Sequence, residues 1–296
     1  MMINTEKDMG NYIVKKVLSV VLFGAAMLCA LLSLSQVKAH QTHENTHQVN
    51  EDKQGSAHYL GNEALLVIHG GHKVLFDPFF HNDFGFYQKV PEHLREKMFK
   101  GIAPFNDIDV IVISHAHEDH FSAEDIVTYL NQFPQVTLVG PSQAIAQIQA
   151  HTDNASVTNR LLGVSMSFGD APWQKTVKGI QFDAVRIPHA GWPRRADVEN
   201  MVFRLAFDDT NSVIHMGDAD PLTSHYVPYN ALWDASKTKL GFPPYWFLTS
   251  AEGRYILNDI MHIEETVGVH VPLNIPALLE QSGKAFFNQP GSIKTF

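Results

Sequence analysis

The segment Ser114-His115-Ala116-His117-Glu118-Asp119-His120 concentrates three imidazoles and two carboxylates directly after the apolar run Ile108-Asp109-Val110-Ile111-Val112-Ile113. Imidazole nitrogen and carboxylate oxygen are the ligands that borderline divalent metals take, so the segment reads as a metal site at the C-terminal edge of a buried strand. Residues two apart in an extended chain point to the same side, which lets His115 and His117 reach one ion. Asp119 and His120 follow where the chain turns, and they can serve a second ion. Two-metal hydrolases hold their ions about 3.5–4 Å apart and activate a water between them. The competing reading is a polar loop with solvated histidines. It does not account for the loop's fixed place between an apolar strand and a helix start at Ser122, where Asp125 stands in the Glu/Gln position of a capping box.

One loop cannot complete two metal sites, so other strand ends must contribute. Ile180 to Ile187 reads as a strand, followed by Pro188-His189-Ala190-Gly191. Ser212 to Met216 reads as another, followed by Gly217-Asp218, and Thr266 to Val269 as a third, ending in His270. Singly, each of these residues also fits a core histidine or a turn aspartate. Their shared position at strand exits is what groups them.

The pattern His-x-His-x-Asp-His, then a distant His, a Gly-Asp after a strand and a last His, resembles the metallo-β-lactamase superfamily from about Ala57 to the C-terminus. The resemblance implies an α/β fold, a single-domain four-layer αββα sandwich over 57–296. It also implies that His115, His117 and His189 hold one metal, Asp119, His120 and His270 a second, and that Asp218 bridges. Two Zn2+ per chain are expected, with Mn2+ or Fe accepted by the same ligand types. Asp119 would bind metal and relay a proton. Asp77, in Lys73-Val74-Leu75-Phe76-Asp77-Pro78, would orient the histidine loop rather than bind metal. Within the superfamily, Asn62, Asp77-Pro78-Phe79-Phe80 and Ser114-His115-Ala116-His117 look most like the branch with ascorbate-phosphate lactonase and the phospholipase D that releases N-acylethanolamines. The implied activity is metal-dependent hydrolysis of an ester, lactone, phosphodiester or amide bond in a small molecule. Alternatives are a β-lactamase and a non-hydrolytic di-metal protein, redox or metal-binding. Several β-lactamases use a cysteine ligand, whereas the single cysteine here, Cys29, lies far from the motif.

The N-terminus differs in kind. Lys15-Lys16 precedes the apolar stretch Val17 to Leu34, and Val37-Lys38-Ala39 fits a small-residue cleavage site, so residues 1–39 read as a signal peptide cleaved after Ala39. The expected location is periplasmic or secreted. If the segment stays uncleaved it is long enough to anchor the chain in a membrane. The chain carries 22 Lys+Arg against 31 Asp+Glu. Removing 1–39 takes away four lysines and two acids, leaving 18 against 29, a net −11. That acidity argues against nucleic acid as a partner. Residues 40–56, with His40, His43 and His47, read as a flexible arm, either metal-scavenging or merely solvated.

Farther along, Ala64 to Ile68 and Lys73 to Phe76 read as a hairpin around Gly70-Gly71. Tyr245 to Leu248 reads as a late strand and Arg254 to Glu265 as a helix, with Ile256, Leu257, Ile260 and Ile263 on one face. Two connections are candidates for shaping a substrate pocket. Phe79 to Tyr87 is rich in aromatics, as an apolar wall, a membrane-facing patch or a core cap. Gly191-Trp192-Pro193-Arg194-Arg195 offers paired guanidinium groups that can fork onto a phosphate or carboxylate, with Trp192 beside them.

Overall fold

The computed structural model describes residues 54–235 and 237–296. The expected signal peptide and nearly all of the arm lie outside them. Thirteen strands among the described residues form two sheets. The first has the order β13(Ile293–Thr295)-β1(Ser56–Gly61)-β2(Ala64–His69)-β3(His72–Phe76)-β4(Val110–Val112)-β5(Thr137–Pro141)-β6(Leu161–Val164). The second runs β12(Ile263–Thr266)-β11(Thr238–Phe242)-β10(Ser212–His215)-β9(Met201–Ala206)-β8(Ile180–Arg186)-β7(Trp173–Val177). No helix among the described residues is long and apolar enough to cross a membrane.

The sheets face one another across a core built by Val67, Val74, Phe76, Val110 and Val112 from one and Phe182, Phe203, Leu205, Val213 and Phe242 from the other. Strand alternation sends the intervening side chains outward. There Leu66, Leu75, Ile111 and Leu138 meet Met98 of α1(Glu92–Lys100), Ile126, Tyr129 and Leu130 of α2(Ala123–Gln132) and Ile145 and Ile148 of α3(Ser142–His151). On the far side, Val185, Val202 and Ile214 pack on Leu232 and Trp233 of α4(Asn230–Ala235), Phe247 and Leu248 of α5(Tyr245–Thr249), and Ile256 and Leu257. Helix, sheet, sheet and helix give the four layers. Burial on both faces explains why β2 and β4 are near-continuous apolar runs.

The hairpin forms as expected, with Gly70 and Gly71 at φ 57° and 81° supplying its tight turn. Ser122 caps α2, its hydroxyl accepting from the Asp125 amide. The late part of the chain departs from the sequence reading. Tyr245–Thr249 is a helix, not a strand, and the strand of this region is β11. The expected helix 254–265 ends at Ile260, turns at His262 (φ 51°) and continues as β12. His270 therefore follows an irregular stretch joined to the sheet edge by a Pro244–Val269 bridge, not a strand over 266–269. Pairing also starts earlier than residue 57: β1 begins at Ser56, and Gly55 and Phe296 exchange backbone hydrogen bonds of 3.0 Å.

Candidate metal centre

β3, β4, β5 and β6 are parallel, as are β10, β11 and β12. Their C-terminal ends open on one edge of the sandwich, and all seven expected ligands gather there. His115, His117, His189 and Asp218 form one group whose ligand atoms all lie within 4.8 Å of one another, and Asp119, His120 and His270 form a second. His117 Nδ1 stands 3.1 Å from both His115 Nε2 and His189 Nε2. Asp218 straddles the groups. Its Oδ2 is 3.1 Å from His189 Nε2, and its Oδ1 is 3.1 Å from His270 Nε2 and 3.6 Å from His120 Nε2. Asp119 Oδ2 completes the second group at 3.5 Å from His120 and 3.4 Å from His270.

The hydrogen bonds around the histidines fix which nitrogen is free. Ser114 Oγ gives its proton to Asp77 Oδ2 at 2.5 Å, so it accepts from His115 Nδ1 at 3.1 Å. His189 Nδ1 donates to the Ala190 carbonyl at 2.8 Å. The Nε2 atoms of both rings therefore carry lone pairs into the same space as His117 Nδ1. Burial, reinforced by neighbouring rings, holds the His115 imidazole well below its ordinary value and lowers His117 as well, so both are neutral near pH 7. Lone pairs converging without protons between them are what a cation requires. In the second group, His120 Nε2, His270 Nε2 and Asp218 Oδ1 are buried without a hydrogen-bond partner among the described residues. Such orphaned atoms are costly unless an ion satisfies them. Without an ion, burial works against the His120 imidazolium, but Asp218, Asp119 and Asp77 outweigh it and hold that proton well above the ordinary range. Ion binding must displace it.

Asp77 stands beneath the loop. It accepts from the Ser114 amide at 2.7 Å, from Ser114 Oγ and from His120 Nδ1 at 3.0 Å, and it binds no other part of the cluster. Its backbone is left-handed (φ 41°), as are Asn62 (φ 45°) and His270 (φ 56°) beside the site, a conformation that costs non-glycine residues of order 1–3 kcal/mol. Gly217 (φ 52°) makes the turn into Asp218, where a Cβ would collide with Asn200 Oδ1 and Ser114 Cβ.

Sequence reasoning missed three residues here, Asn200, Trp246 and Glu63, whereas Tyr87 belongs to the aromatic segment expected to shape the pocket. Asn200 is fully buried, accepts from the Asp218 amide at 2.9 Å and donates to Ile187 and Met216, tying two ligand-bearing strand exits together. Tyr87 meets the His270 ring edge-on at 4.0 Å, and Trp246 meets it at 5.4 Å. Glu63 is buried under the cluster with its Oε2 3.6 Å from His215 Nε2 and 3.8 Å from His120 Nδ1. It stands with Asn62 in the turn between β1 and β2, where a polar pair gives no sign of burial. His215 is a packing residue, stacked on Phe76 with Nε2 donating to the Glu63 carbonyl. His225 lies against Asp220, away from the ligands.

Burial pushes the Glu63 carboxyl well above its ordinary 4.5; His120 opposes it, and Asp218, Asp77 and Asp119 add to the rise. A carboxyl raised in this way stabilises the fold fully below its unfolded value, and that contribution is lost as pH rises through the folded one. In metal-stripped protein, Glu63→Gln is therefore expected to gain on wild type in Tm above pH 4.5. The gain should be roughly 3–6 °C for each pH unit of the shift. Calorimetry at about pH 5, 6.5 and 8 checks this, and a difference that does not grow with pH would show Glu63 to be ionised.

Two lobes of a cleft, of about 510 Å³ and 590 Å³, open over the cluster and share Tyr87, Arg195, Asp218 and His270. Phe84 lines the first, and Arg194 and Trp246 line the second. Trp192, expected beside the substrate, lines neither lobe; it is 41% exposed and edges onto His225 at 5.8 Å.

A four-layer sandwich with histidines and aspartates gathered at one sheet edge is the architecture of the metallo-β-lactamase fold, with a candidate metal site. The chain belongs to the β-lactamase superfamily, whose domain model matches residues 56–227. No curated protein sequence matches it. Among solved structures it is similar to a metallo hydrolase from the archaeon Ignicoccus hospitalis, at 17% identity and TM-score 0.54, covering 82% of this chain and 98% of that one. A possible metal-dependent hydrolase from Veillonella parvula matches at 12% identity and TM-score 0.58, covering 81% and 99%. CmlA, a diiron β-hydroxylase from Streptomyces venezuelae, matches at 12% identity and TM-score 0.51, covering 82% of this chain and 54% of that one.

Proposed function

We propose that the protein is a dinuclear metal-dependent hydrolase of a small molecule, with zinc as the expected ion. The observation that carries this reading is Asp218, whose two oxygens address two separate ligand groups. His115, His117 and His189 would hold one ion, Asp119, His120 and His270 the other, and Asp218 both. When bound, such a pair supplies Lewis acidity and a water whose pKa falls from about 15.7 to about 7.

The chain's own residues do the rest. Burial raises the Asp119 carboxyl, but His120 and His270 outweigh it and hold it below the ordinary range, so it stays ionised, the form in which a carboxylate binds a cation. Burial, then Asp218, raises the Tyr87 phenol, which stays protonated and can donate to a substrate oxygen over the cleft. Phe84 narrows access to water from one side. No side-chain nucleophile is needed for hydrolysis of this kind.

The test is elemental analysis of the purified protein, with a panel of esters, lactones, phosphodiesters and β-lactams run on zinc-loaded wild type and on His117→Ala. Two ions per chain with turnover lost in the variant is expected. Full loading with no turnover of any substrate would overturn the hydrolytic reading. A second reading, an iron centre that activates oxygen, is favoured by the carboxylate of Glu63, which lies with His120 and Asp218 in one possible ligand group. Iron in place of zinc in the same elemental analysis would support it.

A further inference from the structure

We propose that Arg195 is the specificity-determining residue of this cleft and that the substrate is an organic anion with an apolar body. The inference rests on the hydrolase reading and names its substrate class.

Arg195 lies at the seam of the two lobes, the only cation shared by both linings. No carboxylate among the described residues forms an ion pair with it. Asp119 and Asp218 are engaged with the cluster histidines, and Glu118, the third acid of the cleft, accepts from Asn82 Nδ2 at 2.9 Å. Its nearest polar neighbour is His189 Nδ1, 3.4 Å from Nη1. That nitrogen's proton goes to the Ala190 carbonyl, so His189 is satisfied and offers Arg195 no acceptor, and this guanidinium nitrogen faces a donor instead. An anion placed over the cleft satisfies the guanidinium.

The loop holds Arg195 in place for that role. The Arg194 amide donates to Gly191 and the Val198 amide to Arg195, while Arg186 clamps the carbonyls of Ala196 and Val198 at 3.2 Å and 3.4 Å. Gly191 (φ 92°) has no side chain, and the Arg195 stem runs 3.8 Å from where a Cβ would stand.

The other lobe supplies the apolar wall. Phe84 is 53% exposed and left-handed (φ 49°), a conformation unfavourable for a bulky side chain. Asn82 Oδ1 accepts from its amide at 2.8 Å, and the Phe86 and Tyr87 amides close the turn on the Asp83 carbonyl. The turn carries an aromatic ring to the cleft instead of into the core. An anionic head on Arg195 and an apolar body on Phe84 and Tyr87 leave the bond between them above Asp218. Lobes of 510 Å³ and 590 Å³ suit a small ligand rather than a polymer. Carboxylate and phosphate share the chemistry that a guanidinium fork recognises.

The test uses the full chain as purified, with phenylacetate, phenylphosphonate and the neutral phenylacetamide as calorimetric probes of wild type, Arg195→Ala and Arg195→Lys. Arg195→Ala should weaken the preferred anion about tenfold or more and leave phenylacetamide unchanged. Lysine should restore only part, because it keeps the charge and loses the fork. Which anion binds better separates a carboxylate from a phosphate substrate. For whichever substrate is turned over, KM of its anionic form should rise in Arg195→Ala while kcat holds. An anion held by bound metal alone would bind Arg195→Ala as tightly as wild type. That result, an equal loss for anion and amide, or no anion binding by wild type would overturn the proposal. Binding is read without turnover, so a protein that selects anions through Arg195 and hydrolyses nothing would sink the hydrolase reading alone. One that hydrolyses neutral and anionic substrates alike would sink this one alone.

Discussion

Asp218→Ala is expected to empty both ligand groups at once. Its oxygens stand 3.1 Å from His189 Nε2 on one side and 3.1 Å from His270 Nε2 on the other, so no other single side chain serves both. Elemental analysis should find the metal content falling from two ions toward none, whereas His115→Ala should affect chiefly one. Loss of an ion's electrostatic contribution is several kcal/mol, so kcat/KM should fall on the order of 10³-fold or more. The variant should fold, because alanine fits after the Gly217 turn and removes a buried charge instead of adding one. Full metal content in Asp218→Ala would refute the bridging arrangement.

Asp77→Asn should produce the second largest effect, although Asp77 touches no ion position. Asparagine tolerates the left-handed backbone at this site (φ 41°) and keeps one acceptor for the Ser114 amide. Its NH2 then faces the donors His120 Nδ1 and Ser114 Oγ, and both lose their acceptor. The His120 ring loses its anchor, and Ser114 can no longer fix the His115 tautomer. Outer partners of metal-binding histidines are worth about 10–100-fold in affinity or activity. The group containing His120 should weaken by that amount, read by competition with a chelator. Unaltered affinity would mean that the loop is rigid without Asp77.

These two residues also mark what the sequence made legible. Local spacing exposed His115, His117, Asp119 and His120, because one short segment carries them at the end of an apolar strand. His189, Asp218 and His270 were legible through their positions after strands, although His270 follows no regular strand. Glu63 was not, because it stands with Asn62 in the β1–β2 turn, where polar residues are ordinarily solvated, and only tertiary packing buries it. Asn200 gives no pattern at all: its role comes from the meeting of two strand exits distant in sequence. In the fold, α5 was misread because Tyr245, Trp246 and Phe247 favour strands by propensity, and tertiary packing overrode it. The 256–263 helical spacing runs through a π-type segment into β12, and only the left-handed His262 marks the break.

The ligands come from both halves of the sandwich. His115, His117, Asp119 and His120 leave β4 of the first sheet, while His189 and Asp218 follow β8 and β10 of the second. Each ion would therefore clamp one sheet to the other at the rim of their shared core, as a crosslink that opens and closes with free metal concentration. The single cysteine cannot form a disulfide within the chain, so no covalent tie duplicates the clamp. A ligand bound only by the folded state adds about 2.7 kcal/mol at a hundred times its Kd. Resistance of the sandwich to unfolding would then read out metal supply: surroundings that fill the proposed site would also set how long the fold lasts.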